Sequence, residues 1–274
     1  MVQIRDMTEK QRIVVVGNGM VGHKLVQELV ESGLPDGMTV TTFCEETAMA
    51  YDRVGLSGWF DGKTSEDLSL VEPGFYEKEG LEIFVGEKVA EIDRERKVVI
   101  SDKGREIGYH KLVMATGSVP FVPPVRGRAL KGVHVYRTLE DLEKIAADAK
   151  FAKAGVVLGG GLLGLEAANA VKNLGLNSHV LQLGARLMNV QIDDVGGQLL
   201  RNKIEALGVR VHLNAATDRI EGDEEGRAKK LVLADGREIE AELVVFSCGI
   251  ESMLMTFCSL STLWLYHLIA TVIE

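Results

Sequence analysis

Two stretches of the sequence share one pattern, in which a short, wholly apolar run is followed by spaced glycines and then by apolar residues at helical spacing. The first run is residues 13–16, and its helical positions lie within 21–30. The second run is residues 156–158, and its helical positions lie within 167–174. A wholly apolar run indicates a strand buried on both faces of a parallel sheet, and the helical spacing indicates an amphipathic helix. Each stretch is therefore predicted to fold as a strand, a turn and a helix.

The similarity between the two halves of the chain extends beyond these stretches. Residues 97–117 and 230–249 each contain a predicted strand, a hairpin turn, a second strand and a last apolar run that ends at a glycine. The tetrapeptide Gly-Arg-Glu-Ile occurs in both, and its glycine belongs to a turn that hairpins favour. The two glycine-rich turns begin 142 positions apart (159 − 17). This spacing predicts a duplicated domain rather than a short structural repeat.

Each turn has the glycine spacing G-x-G-x-x-G, which is typical of dinucleotide-binding folds. The glycines are Gly17, Gly19 and Gly22 in the first turn and Gly159, Gly161 and Gly164 in the second. The first glycine allows the tight bend, the second lets the backbone approach a pyrophosphate, and the third lets the helix pack against the strand. The helix N-terminus then offers free N–H groups to the phosphates. One such turn also fits an ordinary α/β loop, but two of them predict two dinucleotide sites.

The residues after the second strand of each half are candidates for ribose recognition. The stretch "MTVTTFCEE" ends in Glu45 and Glu46, and Glu45 lies 23 positions after Gly22 (45 − 22), where an acid holds a ribose hydroxyl. We interpret Glu46 as a solvated loop acid. The second half has Gln182 at the corresponding place. Glutamine can bind a ribose without repelling a 2′-phosphate, and Arg186 is near enough in sequence to assist one, so NADH and NADPH both stay open.

Composition places the chain among ordinary globular proteins of a reducing compartment. It has 274 residues, enough for one large or two modest domains, with 46% hydrophobic and 26% charged residues. The net charge of -9 disfavours a nucleic-acid partner. The three cysteines are too few and too scattered for a disulfide scaffold or a zinc site. The start "MVQIRDMTEKQR" has no apolar segment typical of a secretory signal, so a cytoplasmic protein is predicted.

No arrangement of side chains in the sequence suggests acid–base or nucleophilic catalysis. None of the six histidines lies in a recognisable motif, and no nucleophile–His–Asp set is found. The sequence also has no C-x(4)-C or C-x-x-C pair, so a redox disulfide relay is not expected. A chain that holds two dinucleotides usually passes a hydride between them, with the reactivity supplied by the cofactors. The predicted chemistry is therefore hydride transfer from a nicotinamide to a flavin.

Several longer motifs carry a resemblance to a known family. They are "GNGMVGHK", "FCEE", "AYDRVGLS", "SLVEPGFYEKEG", "LVMATGSVPFVPP", "GGGLLGLEAANAVKNLG", "GGQLLRNKIEALGVRVH" and "LVVFSCGI". With them, residues 12–250 resemble the FAD/NAD(P)H-binding part of assimilatory NAD(P)H nitrite reductase large subunits, within the pyridine nucleotide-disulfide oxidoreductase-like flavoproteins. The resemblance implies an α/β fold with two Rossmann-like, three-layer ββα dinucleotide-binding domains, the second inserted in the first. It places the N-terminal part of the FAD-binding domain at 1–120, a connecting segment at 121–149 and the NAD(P)H-binding domain at 150–249.

The resemblance also implies roles for individual residues. The FAD contacts would come from Gly17, Gly19, Met20, Gly22 and Glu45, from Arg53 near the flavin, and from Thr116 and Gly117 closing over the cofactor. The nicotinamide cofactor would be met by Gly159, Gly161, Leu163, Gly164, Glu166 and Gln182, with Glu166 as the candidate catalytic residue. No metal site is predicted in this chain. From the sequence alone, Arg53 also fits a surface arginine, Thr116 a strand end, and Glu166 an acid in the first turn of its helix, favoured by the helix dipole.

The last segment, residues 250–274, departs from the family pattern and is expected to be an aberrant hydrophobic tail. Residues 253–273 carry no charged side chain, and no Gly-Asp element follows Ile250, so the FAD-binding domain is expected to lack its C-terminal return. Three alternatives stay open for the tail: a frame-altered or truncated gene product, a membrane anchor, since about 20 apolar residues span a bilayer, and a helix packed on the core. The siroheme and iron–sulfur region of the family would belong to a missing C-terminal part.

These expectations combine into one leading hypothesis and two alternatives. The leading hypothesis is an FAD-dependent NAD(P)H oxidoreductase module, the electron-entry part of a nitrite reductase in nitrate assimilation. The alternatives are an inactive, truncated dinucleotide-binding remnant and a membrane-tethered interaction protein. The expected partners are the small-molecule cofactors and a downstream electron acceptor that is not on this chain, rather than nucleic acid or a membrane. A homodimer is left open.

Overall fold

The structure, a computed structural model, describes residues 11–35, 37–78, 80–253 and 271–273, the last three by their backbone alone. The chain divides into two compact units. Unit 1 takes the described residues up to Arg53, then Ser65–Ser118, then those from Ser252 onward. Unit 2 takes Val54–Thr64 and Val119–Glu251, so that in sequence it is inserted in unit 1. The domain bounds derived from the sequence stay a prediction.

The elements follow one another in chain order. The first part of the chain forms β1 (Gln11–Val16), α1 (Met20–Glu31), β2 (Met38–Cys44), α2 (Ser65–Leu68), β3 (Leu81–Val85), β4 (Val89–Asp93), β5 (Val98–Ser101), β6 (Glu106–Gly108) and β7 (Lys111–Met114). The next part forms β8 (Ser118–Pro120), β9 (Val133–Val135), α3 (Leu139–Ala149), β10 (Ala154–Leu158), α4 (Leu162–Asn173), β11 (Asn177–Leu181), α5 (Asp194–Ala206), β12 (Arg210–His212), β13 (Thr217–Gly222), β14 (Ala228–Leu233), β15 (Glu238–Glu240) and β16 (Leu243–Phe246). The last strands described are β17 (Ile250–Ser252), which pairs with β8, and β18 (Thr271–Ile273). Two short 3₁₀ helices cover Leu56–Asp61 and Phe75–Glu77.

A mostly parallel sheet forms the centre of unit 1, with the strand order β18-β7-β1-β2-β3. β1 lies between β2 and β7 and runs parallel to both, so that Val14 pairs with Thr41 on one side and with Leu112 on the other. β3 extends the sheet in parallel beside β2. The central place of β1 explains its apolar run, because a strand covered on both faces has no solvated side.

Alternate residues of β1 face two different layers. Val14 packs with Val99 of the meander β4–β5–β6, whereas Val15 packs with Val26 of α1. Successive side chains of a strand point to opposite faces, so the sheet lies between the meander and the helix. Unit 1 therefore has the predicted three-layer ββα arrangement.

Unit 2 repeats this plan. Its sheet has the order β12-β11-β10-β16-β9, and all neighbouring strands are parallel. In this sheet β12, β11, β10 and β16 take the places that β3, β2, β1 and β7 have in unit 1. The meander β13–β14–β15 covers one face, where Val156 and Val244 pack with Leu231, and α4 packs against β10 and β11. The duplication predicted from the sequence is confirmed.

The two sheets differ in their fifth strand. In unit 2 this place is taken by β9, which runs parallel to β16. In unit 1 it is taken by β18, which pairs antiparallel with β7, with Val272 opposite Val113. Residues 254–270, and with them the alternatives for most of the hydrophobic tail, lie outside the described residues. Among the residues that are described, no helix has the length and apolar character needed to cross a membrane.

Candidate functional site

Packing around the first glycine turn leaves no room for a side chain at its first and third glycines. Gly17 has a φ of 109°, and a Cβ there would overlap the carbonyl oxygen of Ala115, just after β7. A Cβ at Gly22 would overlap the carbonyl oxygen of Gly17 itself. Both glycines are therefore required by the fold of unit 1, whatever the turn binds.

The second turn repeats these contacts at the equivalent positions. Gly159 has a φ of 122°, and a Cβ there would overlap the carbonyl oxygen of Ser247, just after β16. A Cβ at Gly164 would overlap the carbonyl oxygen of Gly159. The first and third glycines thus have the same structural role in both units.

The middle glycine of each turn faces open space instead. A Cβ at Gly19 or Gly161 would meet no atom within 4 Å, and both residues have an extended backbone that any residue can adopt. The local fold therefore does not require glycine at these two positions. A side chain there would obstruct only the space in front of the turn, where a pyrophosphate approaches the backbone.

The helices that follow the two turns begin without a side-chain cap. α1 and α4 start after Gly19 and Gly161, and no side chain accepts a hydrogen bond from their first N–H groups. By contrast, α3 has a capping box made by Thr138 and Asp141, and α5 is capped by Asp193. Unsatisfied N–H groups at the positive end of a helix form an anion site. The two uncapped termini thus fit the phosphates of two dinucleotides.

The two apolar site candidates lie at these helix starts. Met20 is the first residue of α1 and Leu163 is the second residue of α4, and both side chains are exposed. Both side chains are therefore accessible to a ligand in front of the turn. That they contact a bound cofactor stays a prediction.

The candidate ribose ligands directly follow β2 and β11, and their surroundings differ. Glu45 is exposed, and its carboxylate pairs with Nζ of Lys88 at 2.9 Å. Gln182 turns back toward the second turn, where its Oε1 accepts a hydrogen bond from the Gly160 N–H at 2.8 Å. Gln182 therefore supports the second turn directly, a role that the sequence did not indicate.

Arg186, the residue considered for a 2′-phosphate, is engaged by its own loop. Its guanidinium donates to the carbonyl oxygens of Ile192 and Asn189, at 3.1 Å and 3.2 Å, and forms an ion pair with Asp194. Each guanidinium nitrogen thus has a partner within the loop that leads into α5. A phosphate would have to compete with these contacts.

Arg53 belongs to a side-chain cluster rather than being a lone surface arginine. Its guanidinium pairs with Glu46, donates to the Tyr51 hydroxyl at 2.8 Å and lies over the Tyr51 ring, 4.7 Å from its centroid. The Tyr51 hydroxyl in turn donates to Glu46 at 2.6 Å. The interpretation of Glu46 as a solvated loop acid is therefore wrong, because its carboxylate is half-buried and joins both residues.

Thr116 and Gly117 follow β7 after Ala115, and the backbone of Thr116 lies beside Gly17 of the first turn. The Thr116 hydroxyl is buried and has no hydrogen-bond partner among the described residues. Gly117 has a φ of 68° and open space in front of it. Cys248 and Gly249 hold the equivalent places after β16. The similarity between the sequences 97–117 and 230–249 is therefore also a similarity between the two structures. An unpartnered buried hydroxyl beside the turn fits a ligand that supplies the missing hydrogen bond.

Glu166 lies inside α4 rather than in its first turn. The helix begins at Leu162, so Glu166 is its fifth residue, and the first turn contains no acidic residue. The expectation of a first-turn acid is therefore wrong, because the helix starts directly after the second glycine of the turn. Burial raises the pKa of Glu166. Its environment thus disfavours the charge that a dipole-stabilised acid would keep.

A buried tyrosine near Glu166 was missed by the sequence analysis. The Tyr136 hydroxyl is buried without a hydrogen-bond partner among the described residues, and burial, followed by the charges of Glu166 and Asp61, raises the pKa of Tyr136. Phe60 stacks on its ring with 6.3 Å between centroids. Asn173 of α4 donates to Asp61 at 3.3 Å, so the segment 54–64 packs on this helix. No motif marks Tyr136, since its neighbours come from distant parts of the sequence.

A second group that the sequence analysis missed includes a residue of the first turn. Asn18, His23 and Tyr76 are joined by side-chain hydrogen bonds. The only signal in the sequence is that Asn18 and His23 flank glycines of the turn.

The fold and the two turns define an oxidoreductase with two dinucleotide-binding units in one chain. The sequence matches the family described as pyridine nucleotide-disulphide oxidoreductase over residues 11–256, and the chain belongs to this family. It is a flavin-dependent NAD(P)H oxidoreductase module.

The curated relatives include nitrite reductases. The chain is 47% identical over 253 residues to the nitrite reductase (NADH) large subunit of Escherichia coli strain K12, covering 92% of this chain and 30% of that protein. It is 50% identical over 242 residues to the nitrite reductase large subunit of Klebsiella oxytoca, covering 88% of this chain and 25% of that protein. The resemblance drawn from the motifs is confirmed. The chain spans less than a third of the length of these relatives.

Solved structures agree with the fold. A ferredoxin reductase from Rhodopseudomonas palustris superposes with a TM-score of 0.81 at 25% identity, covering 88% of this chain and 59% of that one. The putidaredoxin reductase–putidaredoxin complex gives a TM-score of 0.81 at 26% identity with the same coverage. The predicted α/β fold class is confirmed.

Proposed function

We propose that this chain is the electron-entry module of a nitrite reductase, which binds FAD at the turn of unit 1 and NAD(P)H at the turn of unit 2 and transfers hydride between them. The observation that carries the proposal is the pair of middle glycines, Gly19 and Gly161, each without a side chain in front of an uncapped helix. The relatives named nitrite reductase large subunit support nitrite as the final electron acceptor.

In unit 1, the first N–H groups of α1 would hold the FAD pyrophosphate, which Gly19 allows to approach. Glu45 would accept hydrogen bonds from ribose hydroxyls, and its exposure leaves it accessible for that exchange of partners. The buried Thr116 hydroxyl would gain its missing partner from the cofactor. Arg53, held in place by Glu46 and Tyr51, would lie on the flavin side.

In unit 2, the first N–H groups of α4 would hold the pyrophosphate of NAD(P)H. The Oε1 of Gln182 is already used by Gly160, so its amide NH₂ group is the donor that would face a ribose oxygen. Glu166 is proposed to contact the nicotinamide, where a carboxyl with a raised pKa can share a proton with a polar group. The bound nicotinamide and flavin supply the hydride chemistry, and the chain contributes their placement.

NADH is the proposed coenzyme of unit 2. The three guanidinium contacts of Arg186 within its own loop would have to break before it could bind a 2′-phosphate. The Escherichia coli relative is named as an NADH enzyme, which agrees with this preference.

The function is tested on the purified full chain by adding FAD and following the visible flavin absorbance during anaerobic addition of NADH. We expect the chain to retain or rebind FAD and the flavin band to bleach. Gly161→Ala is the matched variant, since it should keep FAD but lose most of its reduction by NADH. A wild-type chain that binds no FAD, or whose bound FAD is not reduced, contradicts the proposal and favours the inactive remnant.

The proposed acceptor of the electrons lies beyond this chain. Since the chain covers 30% or less of its nitrite reductase relatives, siroheme and iron–sulfur centres are proposed for the remaining part. The cytoplasm is the proposed location, because Cys44 and Cys248 are free thiols, as suits a reducing compartment. A homodimer stays a prediction.

A further inference from the structure

At the first glycine turn, three side chains form one chain of hydrogen bonds. Asn18, the residue between the first two glycines, donates from Nδ2 to the Tyr76 hydroxyl at 2.5 Å. The Tyr76 oxygen lies 3.2 Å from Nδ1 of His23, and Nε2 of His23 lies 3.0 Å from the carbonyl oxygen of Leu70. On its other side, Oδ1 of Asn18 accepts a hydrogen bond from the Ala50 N–H at 2.9 Å.

The network ends at the Leu70 carbonyl on one side and at the Ala50 N–H on the other. These two groups fix the direction of every hydrogen bond between them. The Leu70 carbonyl can only accept, so a neutral His23 carries its proton on Nε2, and its Nδ1 is then an acceptor. Tyr76 therefore donates its O–H to Nδ1, and its oxygen accepts from Asn18. The Ala50 N–H can only donate, which orients the Asn18 amide in the same way. Each of these bonds then has one donor and one acceptor, and such networks are rigid.

The second turn has no equivalent of this network. At the offset of 142 positions, Asn18 corresponds to Gly160 and His23 to Leu165. Gly160 is held through its backbone, since its N–H donates to Gln182 and its carbonyl accepts from the Met188 N–H, each at 2.8 Å. The duplicated turns have thus diverged at the two positions that build the network, which points to a requirement of unit 1 alone.

We infer that the Asn18–Tyr76–His23 network holds the first turn in the geometry that retains FAD, and that neutral His23 with its proton on Nε2 is a positioning residue for this cofactor. The network ties the turn to the segments around Ala50 and Leu70, so its N–H groups are ordered before the ligand arrives. Less conformational entropy is then lost on binding. An ordered turn lowers the Kd, which suits a flavin that stays bound through many turnovers. A coenzyme that leaves after each turnover does not need such tight binding. The inference rests on the proposed binding of FAD to unit 1.

The same arrangement makes retention of FAD dependent on pH. A second proton on His23 turns Nδ1 into a donor, and the Tyr76 hydroxyl loses its acceptor. Burial, and then the charge of Lys24, lower the pKa of His23 from its ordinary 6.5, while the Leu70 bond opposes them. Among the described residues, the rings packed on the imidazole are those of Phe75 and of Tyr76, and burial raises the pKa of Tyr76 to about 12, so that both rings are uncharged. Because the pKa of His23 in the intact network lies below that ordinary value, the affinity for FAD falls as the pH drops through this lowered pKa.

The test uses the full chain labelled with ¹⁵N at histidine and has two readouts. The ¹⁵N shifts of wild type without FAD, at about pH 7.5, report which ring nitrogen of His23 carries the proton; the His23 signals are those lost in His23→Leu. The Kd for FAD is measured by fluorescence at about pH 7.5 and about pH 5.5 for wild type, Tyr76→Phe, His23→Leu and Asn18→Gly. The last two variants carry the residues of the second turn, and Leu165→His is the matched control in unit 2.

We expect the Nε2–H tautomer in wild type and, at the higher pH, a Kd for FAD about tenfold higher in each unit 1 variant. The affinity for NADH should not change in those variants, the Leu165→His control should bind FAD as wild type does, and Tyr76→Phe should depend less on pH than wild type. An Nδ1–H tautomer, or folded variants whose Kd for FAD stays within about twofold of wild type, overturns the inference. If the variants do not fold, the tautomer and the pH profile of wild type decide it. A wild-type chain that binds no FAD contradicts the proposed function as well.

Discussion

Glycine is required for different reasons at neighbouring positions of the same turn. At Gly22 the reason is the close approach of the Gly17 carbonyl, and at Gly19 it is the open space in front of the helix. A substitution at the first kind of position therefore changes stability, and one at the second kind changes binding. The two effects can be separated by experiment.

The pair Gly19→Ala and Gly22→Ala makes this separation in unit 1. Gly19→Ala places a methyl group in open space without backbone strain, so the free energy of unfolding should change by no more than about 1 kcal/mol, the cost of alanine at an N-cap, while the Kd for FAD rises about tenfold or more. Gly22→Ala forces a methyl group onto a carbonyl oxygen and should destabilise the chain by about 3 kcal/mol. Urea unfolding and FAD titration measure the two quantities. Normal FAD affinity in Gly19→Ala would contradict the assignment of the turn.

Gln182→Glu is expected to sharpen the preference for NADH. The carboxylate keeps an acceptor for the Gly160 N–H but repels a 2′-phosphate, so the ratio of kcat/KM for NADH over NADPH should rise about tenfold. Steady-state reduction of an artificial acceptor by each coenzyme gives the ratio. Gln182→Leu is the control, because it removes the acceptor for Gly160 and should impair both coenzymes alike. An unchanged ratio in Gln182→Glu would remove Gln182 from the ribose site.

For individual residues, the sequence predicts those roles that depend on a fixed spacing along the chain. The glycines of both turns and the residues that follow β2 and β11 were identified because strand, turn and helix are contiguous. The partners of Asn18 and Tyr136 could not be identified in this way. Tyr76 lies on a short 3₁₀ helix and Phe60 on another, and neither helix has a hydrophobic period long enough to predict.

Among the elements, the edge strand β12 and its neighbour β11 are joined by a histidine pair. The rings of His179 and His212 stack with 5.3 Å between centroids, and Nδ1 of His179 lies 3.1 Å from Nε2 of His212. Nη1 of Arg210 lies 3.5 Å from Nε2 of His179, next to the same ring. Burial lowers the pKa of both histidines, that of His179 to about 4.

The histidine pair should make the chain less stable in mild acid. The unfolded chain binds protons at these histidines near the ordinary 6.5, whereas the native His179 resists protonation until about 4. Stability is therefore complete above that ordinary value and falls as the pH drops between the two, by up to about 1.4 kcal/mol per pH unit for each proton. Urea unfolding across this range measures the slope. The double variant His179→Gln, His212→Gln should have a shallower slope, and an equal slope would exclude the pair as its cause.

Element boundaries show where reasoning from the sequence fails. The strands β1 and β10 were predicted because their apolar runs are buried on both faces. The start of α4 was misplaced relative to Glu166, because the pattern does not tell which glycine caps the helix. β9 has three residues, and in the part of the chain that the structure describes it pairs with β16 alone, more than 100 positions later, so no local signal marks it as part of a sheet.

For the whole molecule, the bounds of unit 2 lead to a prediction about fragments. A fragment of residues 119–251 keeps β9 and α3, whose Leu142 and Ile145 are fully buried, whereas a fragment of residues 150–249 lacks both elements. Losing the burial of each such side chain costs about 1.5–3 kcal/mol. The longer fragment should therefore unfold cooperatively, and the shorter one should not, when both are followed by circular dichroism. A stable fragment 150–249 would show that β9 and α3 are dispensable.

The assignment of residues 54–64 to unit 2 also affects how the chain folds during translation. This segment leaves the ribosome long before α4, on which it packs through Asn173 and Asp61. Unit 1 also has to wait, because its strand β18 is synthesised after α4 has already emerged. Neither unit can complete its set of elements while the nascent chain is short, so both should finish folding late and close together in time. A chain that stalls midway would expose apolar surface from two unfinished sheets at once, and such chains depend on chaperones.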